Sequence, residues 1–422
     1  MQIKPDSALS VSLEFAAGLE VAVGRLATAR GIAYVQYWDE FVHSGLRLNP
    51  LAPSHDTRLV AAPEPRAFGG LHGVFADSLP DGWGTELLRR RAVAHGIDFD
   101  SLTMLDRLAC VGRNGPGALV YRPEIAFGAE SAIDLDLLAN ESFRVTEGEA
   151  TAIVDTLARL GGSSGGARPK ILVGMSAAGH LIGSTFPLPE GYDAWIIKFR
   201  GSREPIDAGP REAAYADMAR AAGIEVMETR LISSDAGGPG YFATKRFDRG
   251  PNNTRIHVAS AAALLETAWD IPSFGYEELL KATNLITRYQ PDVLMTYRRM
   301  IFNVLAHNRD DHAKQHAYLM RTDGTWRLAP AYDLTFSSGP GGEHYLTVSG
   351  RGTDITSADF ERVAENQGIS RKVAREIVDE VAKGITCFRE IGQTYGLRKS
   401  SITEIQTAIN ARLTRRVSRT VR

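Results

Sequence analysis

The sequence predicts an α+β protein built from three units, and three observations lead to this prediction. Apolar and polar residues alternate near the start of the chain, as in antiparallel strands. Strand-like runs with one intervening helix fill the middle, and helical periodicity takes over beyond Gly250. Because 422 residues exceed what one ordinary core accommodates, units of roughly 100–200 residues are expected. We assign residues 1–125 to an N-terminal α/β unit, 126–249 to a middle unit and 250–422 to a mainly helical C-terminal unit.

The N-terminal unit is predicted to combine a small antiparallel sheet with helices. Gly18 and Gly31 break the alternating stretch, as expected for turns between strands. Gly96 follows an amphipathic stretch rich in Leu, Arg and Ala, and it is expected to end that helix. The predicted elements are a sheet over Val11–Trp38, a helix over Thr85–His95, a second short helix capped by Ser101 and a strand over Ala118–Tyr121.

The middle unit is predicted to be a mostly antiparallel sheet, and the C-terminal unit to be mainly α. The composition becomes that of a loop through Glu130–Glu141, where we place the first boundary. The middle elements are a helix over Glu149–Leu160, a Gly-rich segment over Gly161–Gly166, strands over Lys170–Val173, Ala194–Phe199 and Tyr241–Phe247, and a helix over Arg211–Ala222. The C-terminal elements are helices over His257–Trp269, Tyr276–Leu285, Pro291–His307, Arg371–Cys387 and Ile402–Val417, with short strands over Ala317–Met320 and Arg327–Leu328.

The overall composition of the chain excludes several classes of protein. Lys plus Arg (48) nearly balances Asp plus Glu (50), so the chain does not attract polyanions through its overall charge. Cys110 and Cys387 are too few for a disulfide framework or a four-cysteine metal site, which favours a reducing compartment. The N-terminus has no cationic head followed by a long apolar run, and no stretch of about 18 apolar residues occurs. We therefore expect a cytoplasmic protein without a membrane span.

A Gly-rich segment in the middle unit is a candidate phosphate cradle. Its glycines would let backbone N–H groups approach phosphate oxygens closely. It lacks the Gly-Lys-Ser/Thr ending of a Walker loop, and a flexible connector is the alternative interpretation. The candidate phosphate-binding residues are Gly161, Gly162, Ser163, Ser164, Gly165, Gly166 and Lys170.

Lys198 lies among apolar residues on a predicted buried strand, in Trp195-Ile-Ile-Lys-Phe. A buried lysine needs an anionic partner to offset its desolvation, and a nucleotide phosphate is one such partner. The alternative is a lysine that points outward from the strand. Glu212, on the following helix, either pairs with Lys198 as a kinase αC glutamate does or is one more exposed helix glutamate.

The segment Asn303–His316 carries the most informative pattern. Asp310 and Gln315 are five positions apart, the spacing at which a kinase catalytic loop places its proton-accepting aspartate and a magnesium-binding amide. Asp333, after a short predicted strand, is the second candidate metal ligand, and hard oxygen ligands suit magnesium. Asp310 would otherwise cap a helix end, although a carboxylate there opposes the helix dipole. His312 and His316 are four positions apart, but the segment between them lacks the glutamate of a zinc-binding motif. We therefore interpret them as hydrogen-bonded structural histidines rather than zinc ligands.

Taken together, these motifs resemble the HipA serine/threonine kinases of bacterial toxin–antitoxin modules. The likeness covers nearly the whole chain, and it implies a bilobed kinase-like fold with an additional N-terminal subdomain. The motifs that carry it are Leu79-Pro-Asp-Gly-Trp-Gly, Gly166-Ala-Arg-Pro-Lys, Ile196-Ile-Lys, Arg246-Phe-Asp-Arg249, Asp310-Asp-His-Ala-Lys314 and Tyr332-Asp-Leu.

The resemblance implies roles for residues within these motifs. It implies ATP and magnesium as cofactors, Asp310 and Lys198 as catalytic residues, and Gln315 and Asp333 as metal ligands. Ser163 or Ser164 would be an autophosphorylation site that silences the enzyme. The expected partners are a protein substrate such as an aminoacyl-tRNA synthetase and a helix-turn-helix antitoxin, with DNA contacted only through that antitoxin. The further nucleotide-binding residues that it implies are Thr244, Lys245, His312 and Lys314.

Gln315 departs from the pattern, because the family usually has asparagine at this position. The extra methylene moves the amide oxygen by roughly 1 Å, which can cost about a hundredfold where catalysis depends on positioning. A catalytically weak or inactive nucleotide-binding relative that acts by binding an antitoxin–DNA complex therefore stays an alternative. A small-molecule kinase of related fold is another.

The C-terminal helix carries a basic stripe with two interpretations. A solvated tail that complements the helix dipole is one, and contact with operator DNA beside an antitoxin is the other. The stripe consists of Arg412, Arg415, Arg416, Arg419 and Arg422.

Overall fold

The computed structural model describes residues 8–124, 133–162, 165–183, 187–272 and 274–417, without the side chains of 415–417. Within these residues the strands form three sheets, and neighbouring strands of each sheet are antiparallel. Helices dominate the C-terminal unit. The α+β class predicted from the sequence is confirmed.

The first sheet has the order β4-β3-β2-β1-β5, and four α-helices occur in the same part of the chain. Gly96 has a left-handed φ of 71° just after α3, so it ends that helix as predicted. The predicted cap of α4 was wrong, because Thr103 rather than Ser101 forms a capping box with Asp106. The elements are β1 (Leu9–Ala16), β2 (Leu19–Ala29), β3 (Ile32–Tyr37), α1 (Asp39–His43), β4 (Val60–Ala61), α2 (Gly73–Ala76), α3 (Gly82–Ala94), α4 (Met104–Val111) and β5 (Leu119–Arg122).

The second sheet has the order β7-β6-β8-β10-β9. Two helices precede it where one was predicted. The first of them was missed: Asp134 caps its N-terminus and Leu138 and Val145 are buried, although the local composition is that of a loop. The elements are α5 (Leu135–Thr146), α6 (Val154–Gly161), β6 (Lys170–Ser176), β7 (Leu181–Gly183), β8 (Tyr192–Lys198), α7 (Ala208–Ala221), β9 (Thr229–Ile232) and β10 (Tyr241–Lys245).

The C-terminal unit contains the third sheet, in the order β11-β12-β13, and seven further α-helices within its described residues. The predicted helix over His257–Trp269 was wrong at its start, because residues 257–260 pair with the strand Ala317–Met320. A tertiary partner overrides the helical pattern there. The elements are β11 (His257–Ser260), α8 (Ala261–Leu264), α9 (Tyr276–Thr287), α10 (Gln290–Leu305), β12 (Ala317–Met320), β13 (Trp326–Leu328), α11 (Ser357–Asn366), α12 (Arg371–Ile385), α13 (Phe388–Thr394) and α14 (Lys399–Val417).

The hydrophobic cores cross the proposed unit boundaries. One buried cluster runs from the first sheet to the C-terminal helices. A second cluster underlies β6 and β8, and the N-terminal unit contributes Trp83 and Leu87 from α3 to it. The N-terminal unit therefore packs against both other parts of the chain, and α3 begins beside the strand that follows the Gly-rich segment.

Among the helices in the described part of the chain, none combines the length and the apolar character that crossing a bilayer requires.

Candidate active site

A cavity of about 490 Å³ lies where the three units meet. The second sheet forms one wall and the segments around residues 310–317 and 331–334 form another. Loops of the N-terminal unit at residues 77–82 and 114–116 form the third. Most of the polar residues selected from the sequence border this cavity.

Strand alternation directs Lys198 toward the cavity. Trp195 and Ile197 on β8 point into the core below the sheet, whereas Ile196 and Lys198 line the cavity. Lys198 is only 7% exposed, and its Nζ donates to Glu212 and, over 2.6 Å, to Asp333 Oδ1. Burial alone would lower the pKa of this ammonium, but the two carboxylates outweigh burial and raise it. The lysine is therefore buried, charged and paired.

Glu212 forms the pair with Lys198 that the sequence left open. It lies on α7, which packs against β9 and β10, and it is almost completely buried. Its second carboxylate oxygen accepts from Arg168 Nη1. The role of Arg168 was not predicted, although its motif Ala-Arg-Pro-Lys was noted. Glu212 thus ties Lys198 on the sheet to the segment that follows the glycines.

Asp333 lies after β13, at a left-handed φ of 55° that directs its carboxylate into the cavity. Oδ1 accepts from Lys198, and Oδ2 accepts from Gln315 Nε2 over 2.9 Å. Burial alone would raise the pKa of this carboxyl, but Lys198 and Lys170 hold it well below its usual range. Asp333 is therefore a carboxylate at any ordinary pH.

Asp310 borders the same cavity from the loop after α10. That helix ends at Leu305 with Ala306 as its C-cap, so Asp310 is too far along the chain to cap it. Its side chain is 46% exposed. Burial raises the pKa of the Asp310 carboxyl, and the negative charge of Asp333 raises it further, while His312 partly offsets both. Two carboxylates, Asp310 and Asp333, therefore face one space.

The neighbouring Asp311 has a different environment. It is completely buried and accepts three hydrogen bonds, from Tyr276 Oη (2.8 Å), His344 Nδ1 (2.9 Å) and the Tyr345 amide (2.9 Å). Burial opposes ionisation, yet His344 and Tyr276 hold the pKa of the Asp311 carboxyl below its usual value. Sequence reasoning selected Asp310 by its spacing to Gln315 and assigned no separate role to Asp311. Asp311 anchors the loop that presents Asp310.

His312, Lys314 and Thr244 also line the cavity. The His312 ring packs between Trp269 and Tyr345, with centroid distances of 5.1 and 5.4 Å. Lys314 Nζ donates to Asp81 Oδ2 over 3.0 Å. His312, Lys314 and Thr244 are therefore positioned to contact a molecule in the cavity.

Lys245 lies beside Thr244 on β10, and it too borders the cavity. Its Nζ donates to Asp193 Oδ2 over 2.6 Å on the more exposed side of the sheet.

The Gly-rich segment starts later than predicted. Gly161 is the last residue of α6 and Gly162 is its C-cap, so the first two glycines end a helix. Gly165 and Gly166 line the cavity, and Ser163 and Ser164 lie outside the described residues.

Lys170, at the start of β6, follows these glycines and points back to them. Its Nζ donates to the Gly165 carbonyl. Burial, reinforced by the nearby charge of Lys198, lowers the pKa of Lys170 to about 8. Lys170 and Lys198 therefore add two cationic groups to this end of the cavity.

Residues of the N-terminal unit also border the cavity, which the sequence did not predict. Asp81 accepts from the Gly166 amide, and Asp77 accepts from Ser260. The motif Leu79-Pro-Asp-Gly-Trp-Gly was noted for its resemblance only. The sequence signal that could have revealed Asp81 was a charged residue in a turn that precedes a helix.

The donor set fits a magnesium ion. Asp333, Asp310 and Gln315 offer carboxylate and amide oxygens around one space, and magnesium is bound by one or two carboxylates together with substrate phosphates and waters. Across the described ranges, no three His, Cys, Asp or Glu side chains cluster closely enough to hold a metal by themselves. The residues therefore suit a metal that a phosphorylated ligand helps to hold.

Comparisons with known proteins identify the family and the fold of the chain. The HipA-like C-terminal domain model matches residues 162–387, and the HipA N-terminal domain model matches residues 19–122. A protein of Sinorhizobium fredii named "Putative kinase Y4dM" is 28% identical over 203 residues, which is 45% of this chain. The match spans 46% of that relative, or about half its length.

A solved structure gives a longer match. It is titled as the Shewanella oneidensis MR-1 toxin–antitoxin system HipA, HipB and its operator DNA complex. The two chains superpose with a TM-score of 0.70 over 97% of each chain at 16% identity, a likeness that concerns the fold. Because the C-terminal family model alone covers more than half of the chain, the protein belongs to the HipA family and has its bilobed kinase-like fold.

Proposed function

We propose that this protein is an ATP- and magnesium-dependent serine/threonine protein kinase. The observation that carries the proposal is the meeting of Lys198, Asp310 and Asp333 at one cavity, although they are far apart in the sequence. A lysine paired with a helix glutamate, a loop aspartate and a metal-binding aspartate are the parts that phosphoryl transfer requires. Family membership and a relative named as a kinase support the same activity.

Each residue has a proposed task. Lys198, held by Glu212, would orient the phosphates, and Lys170 and Lys314 would add positive charge beside them. Asp333 and Gln315 would hold magnesium, which neutralises charge on the transferring phosphoryl group. Asp310 would accept the proton of the acceptor hydroxyl, a task that its raised pKa favours. Thr244 and Lys245 would lie near the adenine, and His312 near the phosphates.

The test is Asp310→Asn, which keeps the size of the side chain and removes the proton acceptor. We expect transfer of radiolabel from ATP to fall by about 10²- to 10⁴-fold while ATP still binds. Asp323→Asn, in an exposed turn, is the matched control and should keep full activity. Wild-type activity in Asp310→Asn would refute the assignment of Asp310.

Ser163 and Ser164 are the two candidate sites that we propose for autophosphorylation. Intact-mass spectra of the wild-type protein should then contain one added phosphate on Ser163 or Ser164, and the Asp310→Asn protein should lack it. Peptide mapping identifies the modified serine. A wild-type protein that transfers phosphate to substrates and never carries phosphate on either serine would exclude this part of the proposal.

The biological role that we propose is a toxin that inhibits growth by phosphorylating a cellular protein such as an aminoacyl-tRNA synthetase. A helix-turn-helix antitoxin is the proposed partner, because the matched Shewanella chain comes from a complex with HipB and operator DNA. DNA would be contacted only through that partner. Phosphopeptide mapping of a lysate treated with enzyme and ATP would identify the target. A lysate with no new phosphopeptide would contradict the protein-kinase assignment.

A specific observation favours a second candidate, a nucleotide-binding relative with little or no turnover. Gln315 directs its Nε2 to Asp333, so the amide must turn before its oxygen can bind a metal. Under this alternative, the wild-type protein should transfer almost no phosphate, and Gln315→Asn should restore transfer because it removes the cause of the low turnover. Under the kinase proposal, the wild-type protein should already transfer phosphate, and the shorter side chain should raise the transfer rate by up to about a hundredfold. Gln315→Ala, which removes the ligand, should lower that rate and serves as the control.

A further inference from the structure

Asp81 of the N-terminal unit lies at the phosphate end of the cavity described above. It precedes α3, and its side chain lines the cavity together with Gly165, Gly166 and Lys314. About a quarter of the side chain is exposed. It is separated by 233 residues from Lys314, so the contact between them exists only in the folded protein.

Both oxygens of this carboxylate are bound by groups that commonly bind phosphates. Oδ1 accepts from the backbone amide of Gly166, and Oδ2 accepts from Lys314 Nζ over 3.0 Å. A backbone amide in a glycine segment and a lysine ammonium are the donors that cradle nucleotide phosphates. Asp81 therefore makes, from within the protein, the contacts that a phosphate group would make.

The position of Asp81 is fixed by the packing around it. The Trp83 amide donates to the Gly166 carbonyl over 3.1 Å, and Trp83 Nε1 donates to the Lys170 carbonyl over 2.9 Å. Gly82 lies so close to Ala167 that a Cβ on it would be 2.5 Å from the Ala167 Cα. The start of α3 is thus seated on the segment 165–170, and the carboxylate cannot move far from the glycines without a shift of this contact.

We propose that Asp81 is an internal anion that competes with nucleotide for the Gly166 amide and Lys314, so that the N-terminal unit sets the affinity of the cleft for phosphates. This inference rests on the proposed function, because it places nucleotide phosphates in this cavity. A bound triphosphate would bring several negative charges next to the carboxylate, and like charges at short range disfavour binding. Adenosine has no phosphate, so its affinity is independent of this competition.

The test is Asp81→Asn, measured by calorimetry with ATP and with adenosine. The amide oxygen of asparagine still accepts from Gly166, so the substitution removes the charge and keeps the loop contact. We expect the Kd for ATP to fall about tenfold and the Kd for adenosine to stay unchanged. Asp100→Asn, an exposed carboxylate of the same unit, matches the change in net charge and should alter neither Kd. Asp81→Ser provides a second neutral acceptor, and thermal unfolding identifies any variant that does not fold.

The outcomes separate this inference from the function on which it rests. A tighter Kd for ATP alone, in either Asp81 variant, supports competition. If the wild-type protein binds ATP and both Asp81→Asn and Asp81→Ser bind it equally well or more weakly, the inference is overturned. The proposed function then still stands. A wild-type protein that binds neither ATP nor adenosine refutes the proposed function, and the inference with it.

Discussion

Two groups of charged residues, one partly buried and one almost fully buried, border the same cavity and differ in how their charges are satisfied. The lysine cluster consists of Lys198, Glu212 and Asp333. The arginine cluster consists of Arg246, Asp248, Arg249 and Arg255. In the arginine cluster, Arg246 and Arg249 each donate to Asp248 Oδ2 over 2.7 Å.

Several further donors of the arginine cluster bind backbone carbonyls of the N-terminal unit, and Arg255 also forms an ion pair with Glu14 at 3.7 Å. Arg249 donates to the carbonyls of Gly115 and Gly117, and Arg255 also donates to Gly117. The Gly117 amide in turn donates to Asp248 over 2.7 Å. These bonds hold a loop of the N-terminal unit against the connection between β10 and β11, and backbone carbonyls cannot be replaced by a ligand without unfolding that loop.

The lysine cluster ends instead on side chains at an open surface. Asp333 is 37% exposed, and its partners Lys198 and Gln315 are side chains that can change rotamer. The comparison teaches that buried charge by itself does not identify an active site. The distinguishing property is whether the polar atoms can exchange their partners for a ligand.

The largest expected effect is on stability, in the arginine cluster. Asp248→Ala leaves the guanidinium groups of Arg246 and Arg249 buried without their carboxylate. Removing one partner of a buried pair destabilises proteins by about 3–5 kcal/mol, so we expect a loss of this size in the free energy of unfolding in urea. Asp56→Ala breaks an exposed pair with Arg58 and should unfold at nearly the wild-type midpoint. A midpoint for Asp248→Ala close to that control would show that the cluster does not hold the units together.

In the lysine cluster, we expect substitution to reduce activity more than stability. In Lys198→Met, Glu212 keeps Arg168 and Asp333 keeps access to water, so the loss in unfolding free energy should be smaller than for Asp248→Ala. Phosphoryl transfer should fall at least about a hundredfold, which is about 2.7 kcal/mol of transition-state stabilisation. Lys372→Met, at an exposed position of α12, is the control. Equal losses of stability in Lys198→Met and Asp248→Ala would remove the distinction between the two clusters.

The effect that develops most gradually concerns acid, and it involves His257, a buried histidine outside both clusters. Burial lowers the pKa of His257 to about 4 from an ordinary value of 6.5. Between these pH values the unfolded chain binds a proton that folded His257 does not, so stability is full above pH 6.5 and falls as the pH drops toward 4. The slope is up to about 1.4 kcal/mol per pH unit for one such histidine.

The measurement is the free energy of unfolding between pH 7.5 and 4 for the wild type and for His257→Phe. The ring of phenylalanine can still pack on Trp326 but cannot bind a proton. The pKa of Glu266, which burial raises to about 7, gives a contribution of opposite sign in both proteins and cancels in the difference. A profile for His257→Phe that is parallel to the wild type would contradict the assignment of this slope to His257.

Local sequence patterns predicted much of the fold and the polar residues of the site. The strand Ala317–Met320 was predicted with its observed bounds, and α10 within two residues at each end. The spacing of Asp310, Gln315 and Asp333 selected residues that share one cavity. Periodicity and motif spacing carry this information because they reflect interactions between residues that are close in the sequence.

Other features required the tertiary structure. The helix Leu135–Thr146 has the composition of a loop and gains its stability from burying Leu138 and Val145 against the second sheet. The same kind of override turned the predicted helical start at His257 into a strand. In both cases a packing partner, absent from the local pattern, decided the conformation.

The sequence by itself determined the α+β class, the family motifs and the polar residues around residues 310–333. Only the tertiary structure decided that Glu212 pairs with Lys198, that Asp311 anchors the loop while Asp310 faces the cavity, and that Asp81 reaches the glycines. The physical reason is distance along the chain. Lys198 is 135 residues from Asp333, and Lys314 is 233 residues from Asp81, so each pairing depends on how whole units pack rather than on any local pattern.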